Sequence, residues 1–292
     1  MNVGHRPYLL VDAARGDRMM GSGWWYPTTQ SGGDLSSYSV IPGVEFTGVA
    51  QLNAPADVDG PVYLFSHGRS GFHGAYTQLA EGLAARGAHV VIVDHPGDTM
   101  ADWALGIAVD DATNERQRLE DMEFIVSSML DGNEGLPALA GRELWLGGHS
   151  YGAYSALGSA PSLGQRTDLR GIVVLEPYLR TLTASQLAAI EVATTAIAGD
   201  RDATTPADVD PPHAAAHMSD ELLVVEIFKN IGHQGCSDVG LYLERLDQYS
   251  DLPQLVVDYL TSMAPDITGT AGDPWRPAVE RHVSRVAELI GL

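Results

Sequence analysis

The sequence has almost no cysteine and almost no lysine. Its 292 residues include a single cysteine, Cys236, and a single lysine, Lys229. One cysteine cannot form a disulfide within the chain, so a fold held together by disulfides is excluded. The first ten residues also lack the basic start, apolar core and small-residue cleavage site of a secretory signal. Both absences lead us to expect a cytoplasmic protein.

Long apolar runs and basic residues are scarce as well. No run approaches the roughly 18 consecutive apolar residues that a membrane-spanning helix requires. Against 38 Asp and Glu there are 17 Lys and Arg, which gives a formal net charge of −21. Nucleic acids and anionic membrane surfaces repel such a protein. We therefore expect no nucleic-acid partner and no stable membrane insertion.

What the sequence does contain is typical of one globular α/β domain spanning residues 1–292. Hydrophobic residues make up 45% of the chain and charged residues 19%. Runs of strand character at 23–27 and 44–52 predict antiparallel strands near the sheet edge. Later apolar runs alternate with helical or loop segments, which predicts a mostly parallel sheet with helices on both faces. These runs fall in 62–65, 90–94, 144–148, 171–177, 195–202 and 222–228, and helices are expected at 79–85, 115–130, 253–263 and 277–290.

One motif suggests a nucleophile. The run Gly148-His149-Ser150-Tyr151-Gly152 follows an apolar stretch and leads into small and apolar residues of helical character. A strand, a sharp turn and a helix in this order are typical of a nucleophile elbow, whose glycines let strand and helix almost touch. The motif also arises by chance, and the chain has 32 glycines. Ser150 is therefore the candidate nucleophile if a base, an acid and oxyanion donors accompany it.

A histidine and two carboxylates stand where such a nucleophile needs them. His233 follows the last apolar run, and the chain order of serine, acid and histidine makes it the predicted base. Asp202, after the penultimate run, is the favoured acid for orienting His233, and Glu176, after the run before it, is the alternative. Asp200 is a third, weaker option. The pattern leaves this choice open.

An oxyanion hole requires two backbone N–H groups. We expect one from Tyr151, the residue after the nucleophile, and the other from Arg69, in the loop after the run 62–65. The Arg69 side chain is then free to contact substrate or solvent. Four histidines also fall near strand ends, but without H-x-H or H-E-x-x-H spacing, so neither a metal nor another cofactor is predicted. These four are His67, His73, His95 and His149.

Several motifs together resemble a known family. They are Trp25-Tyr26-Pro27, Phe65-Ser66-His67-Gly68, Val93-Asp94-His95-Pro96-Gly97-Asp98 and Gly148-His149-Ser150-Tyr151-Gly152. They resemble bacterial serine hydrolases related to plasma-type platelet-activating factor acetylhydrolase, a group that borders on dienelactone hydrolases and cutinase-like polyester hydrolases. The resemblance implies an α/β-hydrolase fold and a cofactor-free esterase or lipase that uses Ser150 and His233. Acetylhydrolase-like members place the acid at the position of Glu176 and cutinase-like members at Asp202, so the resemblance does not choose between them.

The combined pattern predicts a serine carboxylic-ester hydrolase that forms an acyl-enzyme with a small-molecule ester. The strong negative charge favours neutral, short-chain or apolar esters over anionic ones. Segment 98–111, irregular and partly apolar, is the candidate cleft wall or short lid. Two other function classes stay open. One is an acyltransferase or thioesterase with the same residues, and the other is a non-catalytic binding protein that keeps the fold.

Overall fold

The computed structural model describes residues 1–41, 44–130, 139, 141–164, 166–248, 252 and 254–292. Its strands are β1 (Asn2–Asp12), β2 (Arg18–Thr28), β3 (Leu35–Ile41), β4 (Val44–Leu52), β5 (Val62–Ser66), β6 (His89–Val93), β7 (Leu144–His149), β8 (Leu169–Leu175), β9 (Thr194–Gly199) and β10 (Leu223–Phe228). Within these residues the strands form one sheet in the order β10-β9-β8-β7-β5-β6-β2-β1-β4-β3.

Six neighbouring strands of the sheet run parallel. β5 pairs with β6 and with β7, and β8, β9 and β10 continue in the same direction. β2 lies antiparallel to β6, and β1 lies antiparallel to β2. β4 joins β1 in parallel, and β3 pairs antiparallel with β4 at the far edge. The predicted mostly parallel sheet is confirmed, with an antiparallel extension built from the N-terminal strands.

The helices of the described residues match the predicted ones closely. Predicted helices 79–85, 115–130 and 277–290 correspond to α1, α3 and α10, and predicted helix 253–263 corresponds to α8, although residue 253 lies outside the described residues. The full set is α1 (Thr77–Ala84), α2 (Met100–Ala104), α3 (Asp111–Leu130), α4 (Tyr151–Leu163), α5 (Ala184–Ala188), α6 (Asp210–Ala215), α7 (Val239–Arg245), α8 (Gln254–Ser262), α9 (Pro265–Thr268) and α10 (Arg276–Leu289).

Helices cover both faces of the sheet. On one face, α3 and α4 pack Met122 and Leu157 into a core that includes Leu64 of β5. On the other face, α1 and α10 pack Leu83 and Val283 into a second core, which also contains residues of the sheet. Because both faces are covered, every residue of β5 and β6 is buried. Within the described residues, no helix combines the length and apolarity needed to cross a lipid bilayer.

The junction between β7 and α4 is a close approach of backbone to backbone. A Cβ at Gly152 would lie 1.9 Å from the carbonyl oxygen of Ser66, at the end of β5. A Cβ at Gly148 would lie 2.2 Å from the carbonyl oxygen of Gly152. Between these glycines, Ser150 has φ 53° and ψ −120°, a conformation that residues with side chains rarely adopt. The spacing of the two glycines around Ser150 therefore has a direct steric cause.

His89, the first residue of β6, is a buried histidine that the fold keeps neutral. Its ring stacks on Trp24 with 5.6 Å between ring centroids, and its Nε2 donates to the Val58 carbonyl oxygen at 2.9 Å. Burial, helped by the charge of Arg142, outweighs the Val58 hydrogen bond and lowers the pKa of His89 from 6.5 to about 4. The unfolded chain binds a proton that the folded chain excludes.

Acid should therefore weaken the fold through His89. Between pH 6.5 and about 4 the unfolded state binds more protons, so the free energy of unfolding falls as the pH falls. For one histidine with this shift, the loss from about pH 7.5 to about pH 5 is about 2 kcal/mol. In His89→Gln the amide can still donate to Val58 but does not titrate. Over that pH range, we expect its free energy of unfolding, measured with urea, to fall by about 2 kcal/mol less than that of the wild type. Equal losses in the two proteins would contradict this account.

The close approach at the elbow predicts that Gly152→Ala is severely destabilising. The added methyl group meets backbone atoms of β5 that cannot rotate away, so we expect no soluble protein or a loss of about 3 kcal/mol or more in the free energy of unfolding. Gly158→Ala in the same helix is the matched control, since its methyl group would meet the flexible end of Leu119 at 2.7 Å. Thermal unfolding compares the two, and equal stability would refute the steric argument.

Candidate active site

A cavity of about 310 Å³ opens where the parallel strands end. Ser150 follows β7, His233 follows β10, Gly68 follows β5 and Thr204 follows β9, and all four line this cavity. They meet because parallel strands bring their carboxyl ends to one edge of the sheet. Several apolar or aromatic residues also line the cavity, namely Phe72, Met100, Val239, Tyr259, Leu260 and Met263.

Ser150 stands at the start of α4 with its backbone held in the strained turn. The residue is 8% exposed and lies in the cavity wall. Among the described residues, its hydroxyl has no hydrogen-bond partner. Hydrogen bonds between nucleophile and base often tighten when substrate binds, so this geometry is compatible with a nucleophile.

His233 and Asp202 form a buried hydrogen-bonded pair. His233 Nδ1 lies 2.8 Å from Asp202 Oδ2. The other carboxylate oxygen accepts the backbone N–H groups of Thr204 and Thr205, each at 2.8 Å. Burial by itself would raise the pKa of Asp202, but the contacts with His233 and Thr205 outweigh it and lower the pKa to about 2. The ionised carboxylate therefore accepts the Nδ1 proton of His233 and leaves Nε2 as the proton-accepting nitrogen.

The two alternative acids lie elsewhere. Glu176 is fully buried, and its Oε1 lies 2.8 Å from Nε2 of His282, on α10. Asp200 accepts the backbone N–H of Asn230 and lies 3.5 Å from the Lys229 ammonium. Of the three carboxylates that the sequence offered, the structure brings Asp202 against His233. Glu176 instead joins β8 to a C-terminal helix, and Asp200 holds the loop that follows β10.

One backbone N–H group in the loop after β5 stays free. Gly68 N–H donates to the Tyr76 hydroxyl at 3.0 Å, and Ser70 N–H donates to Asp98 Oδ1 at 3.3 Å. Between them, the Arg69 N–H has no partner in the described part of the chain, and Arg69 lines the cavity. Tyr151 is the first residue of α4, where helical N–H groups lack intrahelical acceptors. Of the two expected oxyanion donors, Arg69 therefore lies in the cavity wall, and Tyr151 directly follows Ser150, which also lines the cavity.

The Arg69 side chain contacts segment 98–111. Its guanidinium pairs with Asp111 and lies 5.2 Å from the ring centroid of Trp103. It also lies 5.4 Å from the ring centroid of Tyr151. Segment 98–111 contains α2, and its Met100 lines the cavity. Met100 thus contributes to the cavity wall, and the rest of the segment holds the side chain of Arg69.

One trio of described residues is close enough to bind a metal ion, namely His149, Glu176 and Cys236. Both ring nitrogens of His149 are already engaged, Nδ1 with the Tyr76 hydroxyl at 2.8 Å and Nε2 with the His233 carbonyl oxygen at 2.7 Å. Burial raises the pKa of the Cys236 thiol, and the charge of Glu176 raises it further. A paired imidazole and a protonated thiol are poor ligands, so the donor set does not fit a metal.

Sequence reasoning missed the buried pair of Arg118 and Asp98. Both residues bind the loop that carries the free N–H group of Arg69. Arg118, on α3, is fully buried, and its Nη2 lies 2.7 Å from Asp98 Oδ2. A signal was present in the sequence, because Arg118 lies four residues before Met122 and seven before Ile125, on the apolar stripe of the helix. A charged residue on such a stripe indicates a buried partner.

Comparison with known proteins gives one family and a shared fold. Residues 59–257 match the family described as serine aminopeptidase, S33. The ferulic acid esterase from Streptomyces cinnamoneus covers 99% of this chain and 89% of its own, with a TM-score of 0.73 and 18% identity. A predicted CIB-like hydrolase from Thermoplasma acidophilum covers 88% of this chain and 98% of its own, with a TM-score of 0.51 and 13% identity. No curated protein sequence matches the chain significantly.

These matches confirm the α/β-hydrolase fold that the sequence predicted. At such low identity, the two structures are informative about the fold alone. The narrower resemblance to acetylhydrolases, dienelactone hydrolases or cutinase-like enzymes finds no support among them. The family match begins just before β5, ends within α8 and includes Ser150, Asp202 and His233. The chain therefore belongs to the serine aminopeptidase S33 family of α/β hydrolases.

Proposed function

We propose that this hydrolase cleaves carboxylic esters through an acyl-enzyme formed on Ser150. The observation that carries the proposal is the 2.8 Å hydrogen bond between His233 Nδ1 and Asp202 Oδ2, beside a cavity that Ser150 also lines. This bond fixes the tautomer in which His233 Nε2 can take a proton, as a general base must. The positive φ of Ser150 matches the strained turn of a nucleophile elbow.

The proposed reaction has two halves. Ser150 Oγ attacks the ester carbonyl carbon as its proton passes to His233 Nε2, and the N–H groups of Tyr151 and Arg69 donate to the resulting oxyanion. The tetrahedral intermediate collapses, the alcohol leaves with the proton from His233, and the acyl group stays on Ser150. A water molecule then loses its proton to His233, attacks the acyl carbon and releases the carboxylic acid while Ser150 regains its proton.

The cavity favours an apolar acyl group on a neutral ester. Its apolar wall includes Phe72, Leu260 and Met263. The guanidinium of Arg69 is paired with Asp111, and the net charge of −21 repels anionic substrates. Because one structural neighbour is named as a ferulic acid esterase, feruloyl esters belong on the substrate panel. The resemblance to acetylhydrolases and cutinase-like enzymes stays a prediction, so short acyl esters belong there too.

Other acyl-transfer reactions fit the same residues and are separated by their products. An acyltransferase or thioesterase would form the same acyl-enzyme, but a transferase would pass the acyl group to an added alcohol or amine. An aminopeptidase must bind a substrate ammonium group, and Asp266 lies in the cavity wall without an ion-pair partner among the described residues. Free acid from an ester supports the proposal. Preferential release of p-nitroaniline from aminoacyl anilides would favour the peptidase.

Replacing Ser150 by alanine should abolish turnover, because the acyl-enzyme cannot form without its oxygen. We expect kcat for p-nitrophenyl esters of graded acyl length to fall by about 10⁴-fold or more, with the thermal unfolding temperature unchanged within a few degrees. Mass spectrometry should find a fluorophosphonate adduct on Ser150 of the wild type and none on the variant. Retained activity in Ser150→Ala would overturn the assignment. A wild type that forms no adduct would favour a non-catalytic binding protein.

A comparison of Asp202→Asn with Glu176→Gln identifies the acid. Asparagine can stabilise the wrong tautomer of His233, so Asp202→Asn should lower kcat by about 10⁴-fold. Glu176→Gln is the matched control because Glu176 contacts His282, and its kcat should stay within about tenfold of wild type. Steady-state kinetics on folded samples at one pH checks both. The reverse order of effects would make Glu176 the acid.

A further inference from the structure

The guanidinium of Arg118 binds both Asp98 and the oxyanion loop, defined here as residues 66–71. Its Nε and Nη2 donate to Asp98 Oδ2 at 3.0 and 2.7 Å. Its Nη1 donates to the His67 carbonyl oxygen at 2.9 Å, and its Nη2 donates to the Gly68 carbonyl oxygen at 3.2 Å. Nη1 also reaches the Ser66 hydroxyl at 3.2 Å. One buried cation therefore binds three consecutive residues of the loop.

The charge of Arg118 is matched inside the protein. Arg118 is fully buried and Asp98 is 1% exposed. Burial alone would raise the pKa of Asp98, but Arg118 and the hydrogen bonds of Trp103 and Asn114 outweigh it and lower the pKa to about 2. Asp98 therefore faces the guanidinium of Arg118 as a carboxylate. Asp98 also accepts the Ser70 N–H at 3.3 Å, which extends the same contact to the far side of the loop.

The two peptide groups that flank Gly68 differ in how their N–H groups are used. In the His67–Gly68 peptide, the carbonyl oxygen accepts from Arg118, and the N–H group donates to the Tyr76 hydroxyl at 3.0 Å. In the Gly68–Arg69 peptide, the carbonyl oxygen lies within hydrogen-bond distance of three donors: His67 Nδ1 at 2.6 Å, Gly71 N at 3.1 Å and Arg118 Nη2 at 3.2 Å. The N–H group of this second peptide has no partner among the described residues.

Because a peptide group is planar, the hydrogen bonds to its carbonyl oxygen also set the direction of its N–H group. In a trans peptide, the C=O and N–H bonds point in opposite directions. Three donors that hold the Gly68 carbonyl oxygen on one side therefore direct the Arg69 N–H group to the other side, and Arg69 lines the cavity that holds Ser150. Rotating this peptide would break three hydrogen bonds at once. The neighbouring Gly68 has no side chain to resist such a rotation, so the hydrogen bonds must supply the restraint.

We propose that Arg118 is a positioning residue that fixes the Gly68–Arg69 peptide with its N–H group directed at the oxyanion. This inference rests on the proposed ester hydrolysis and adds a residue outside the reacting groups to it. Arg118 acts through the carbonyl oxygens of His67 and Gly68 and does not touch the substrate. Because its guanidinium also polarises the Gly68 carbonyl, it makes the Arg69 N–H group of the same peptide a stronger donor.

A second series of hydrogen bonds from serine to histidine to aspartate also holds the oxyanion loop, through Ser66. The Ser66 hydroxyl lies 2.8 Å from His95 Nε2, and His95 Nδ1 lies 2.9 Å from Asp121 Oδ2. All three residues are completely buried, and Asp121 is held in turn by Arg18. These residues have the connectivity of a catalytic triad without access to substrate. Their place is structural, because Ser66 accepts from Arg118 while donating to His95.

Substitutions at Arg118 test the role. Arg118→Met removes every donor, and Arg118→Lys keeps the charge but cannot bind Asp98 and both carbonyl oxygens together. Arg142→Met is the matched control, because Arg142 pairs with Asp59 and the Gly60 carbonyl oxygen away from the cavity. Each folded variant is assayed with p-nitrophenyl acetate. Each is also titrated with a trifluoromethyl ketone, which forms a tetrahedral oxyanion adduct on the nucleophile.

We expect kcat of Arg118→Met to fall about 10²-fold with KM within threefold of wild type, since the loss of one oxyanion donor costs about 10² to 10³ in kcat. The inhibition constant of the ketone should weaken by the same factor as kcat/KM, and the pH midpoint of the acid limb should not move. The kcat and ketone affinity of Arg118→Lys should lie between those of Arg118→Met and wild type. Both quantities should match wild type in Arg142→Met. A purely structural role would lower the unfolding temperature without this parallel loss of ketone affinity.

The outcomes separate this inference from the proposed function. If wild type is active, Ser150→Ala is inactive and folded Arg118→Met keeps kcat within threefold, the positioning role is overturned while ester hydrolysis stands. Loss of kcat without loss of ketone affinity overturns it as well. If Arg118→Met does not fold, wild-type kcat and ketone affinity in Arg118→Lys overturn it. An inactive wild type removes both proposals together.

Discussion

The cavity end of the molecule depends on one backbone contact, the packing of Gly152 against the end of β5. A Cβ at Gly152 would lie 1.9 Å from the carbonyl oxygen of Ser66 and 2.9 Å from that of His67, so no side chain fits between α4 and the oxyanion loop. This contact places the first N–H groups of α4 beside the loop that carries Arg69. In the proposed reaction, two N–H donors from distant parts of the chain then serve one oxyanion.

The acids around this contact are divided among different basic partners. Asp202 binds His233, Glu176 binds His282, and Asp98 binds Arg118. Each buried carboxylate would be costly without such a partner, and each partner comes from a different helix or loop. The carboxylate that meets His233 is the one whose second oxygen is held by backbone N–H groups after β9. Those bonds fix its direction independently of the histidine.

Local pattern was enough for some of these features and not for others. The parallel strands and the strand, turn and helix around Ser150 depend on residues near one another in sequence, and the sequence predicted them correctly. The sequence also shows directly that His233 follows the last of these strands. The choice between Asp202 and Glu176 depends on His282, more than 100 residues beyond Glu176, and no local pattern reveals that pairing. Arg118 was missed for the same reason, because its partners lie on the loops after β5 and β6. The one local sign was a charge on an apolar stripe.

Stability alone does not explain a buried ion pair such as Arg118–Asp98. The cost of desolvating two charges offsets most of their attraction, and an apolar pair of similar volume is often at least as stable. An apolar pair, however, cannot donate hydrogen bonds to the carbonyl oxygens of His67 and Gly68, which lie beyond the last ladder position of β5 and so lack strand partners. A planar guanidinium can bind both oxygens and the carboxylate at once, which an ammonium cannot. The geometry of the oxyanion loop, rather than the free energy of unfolding, accounts for an arginine at this buried position.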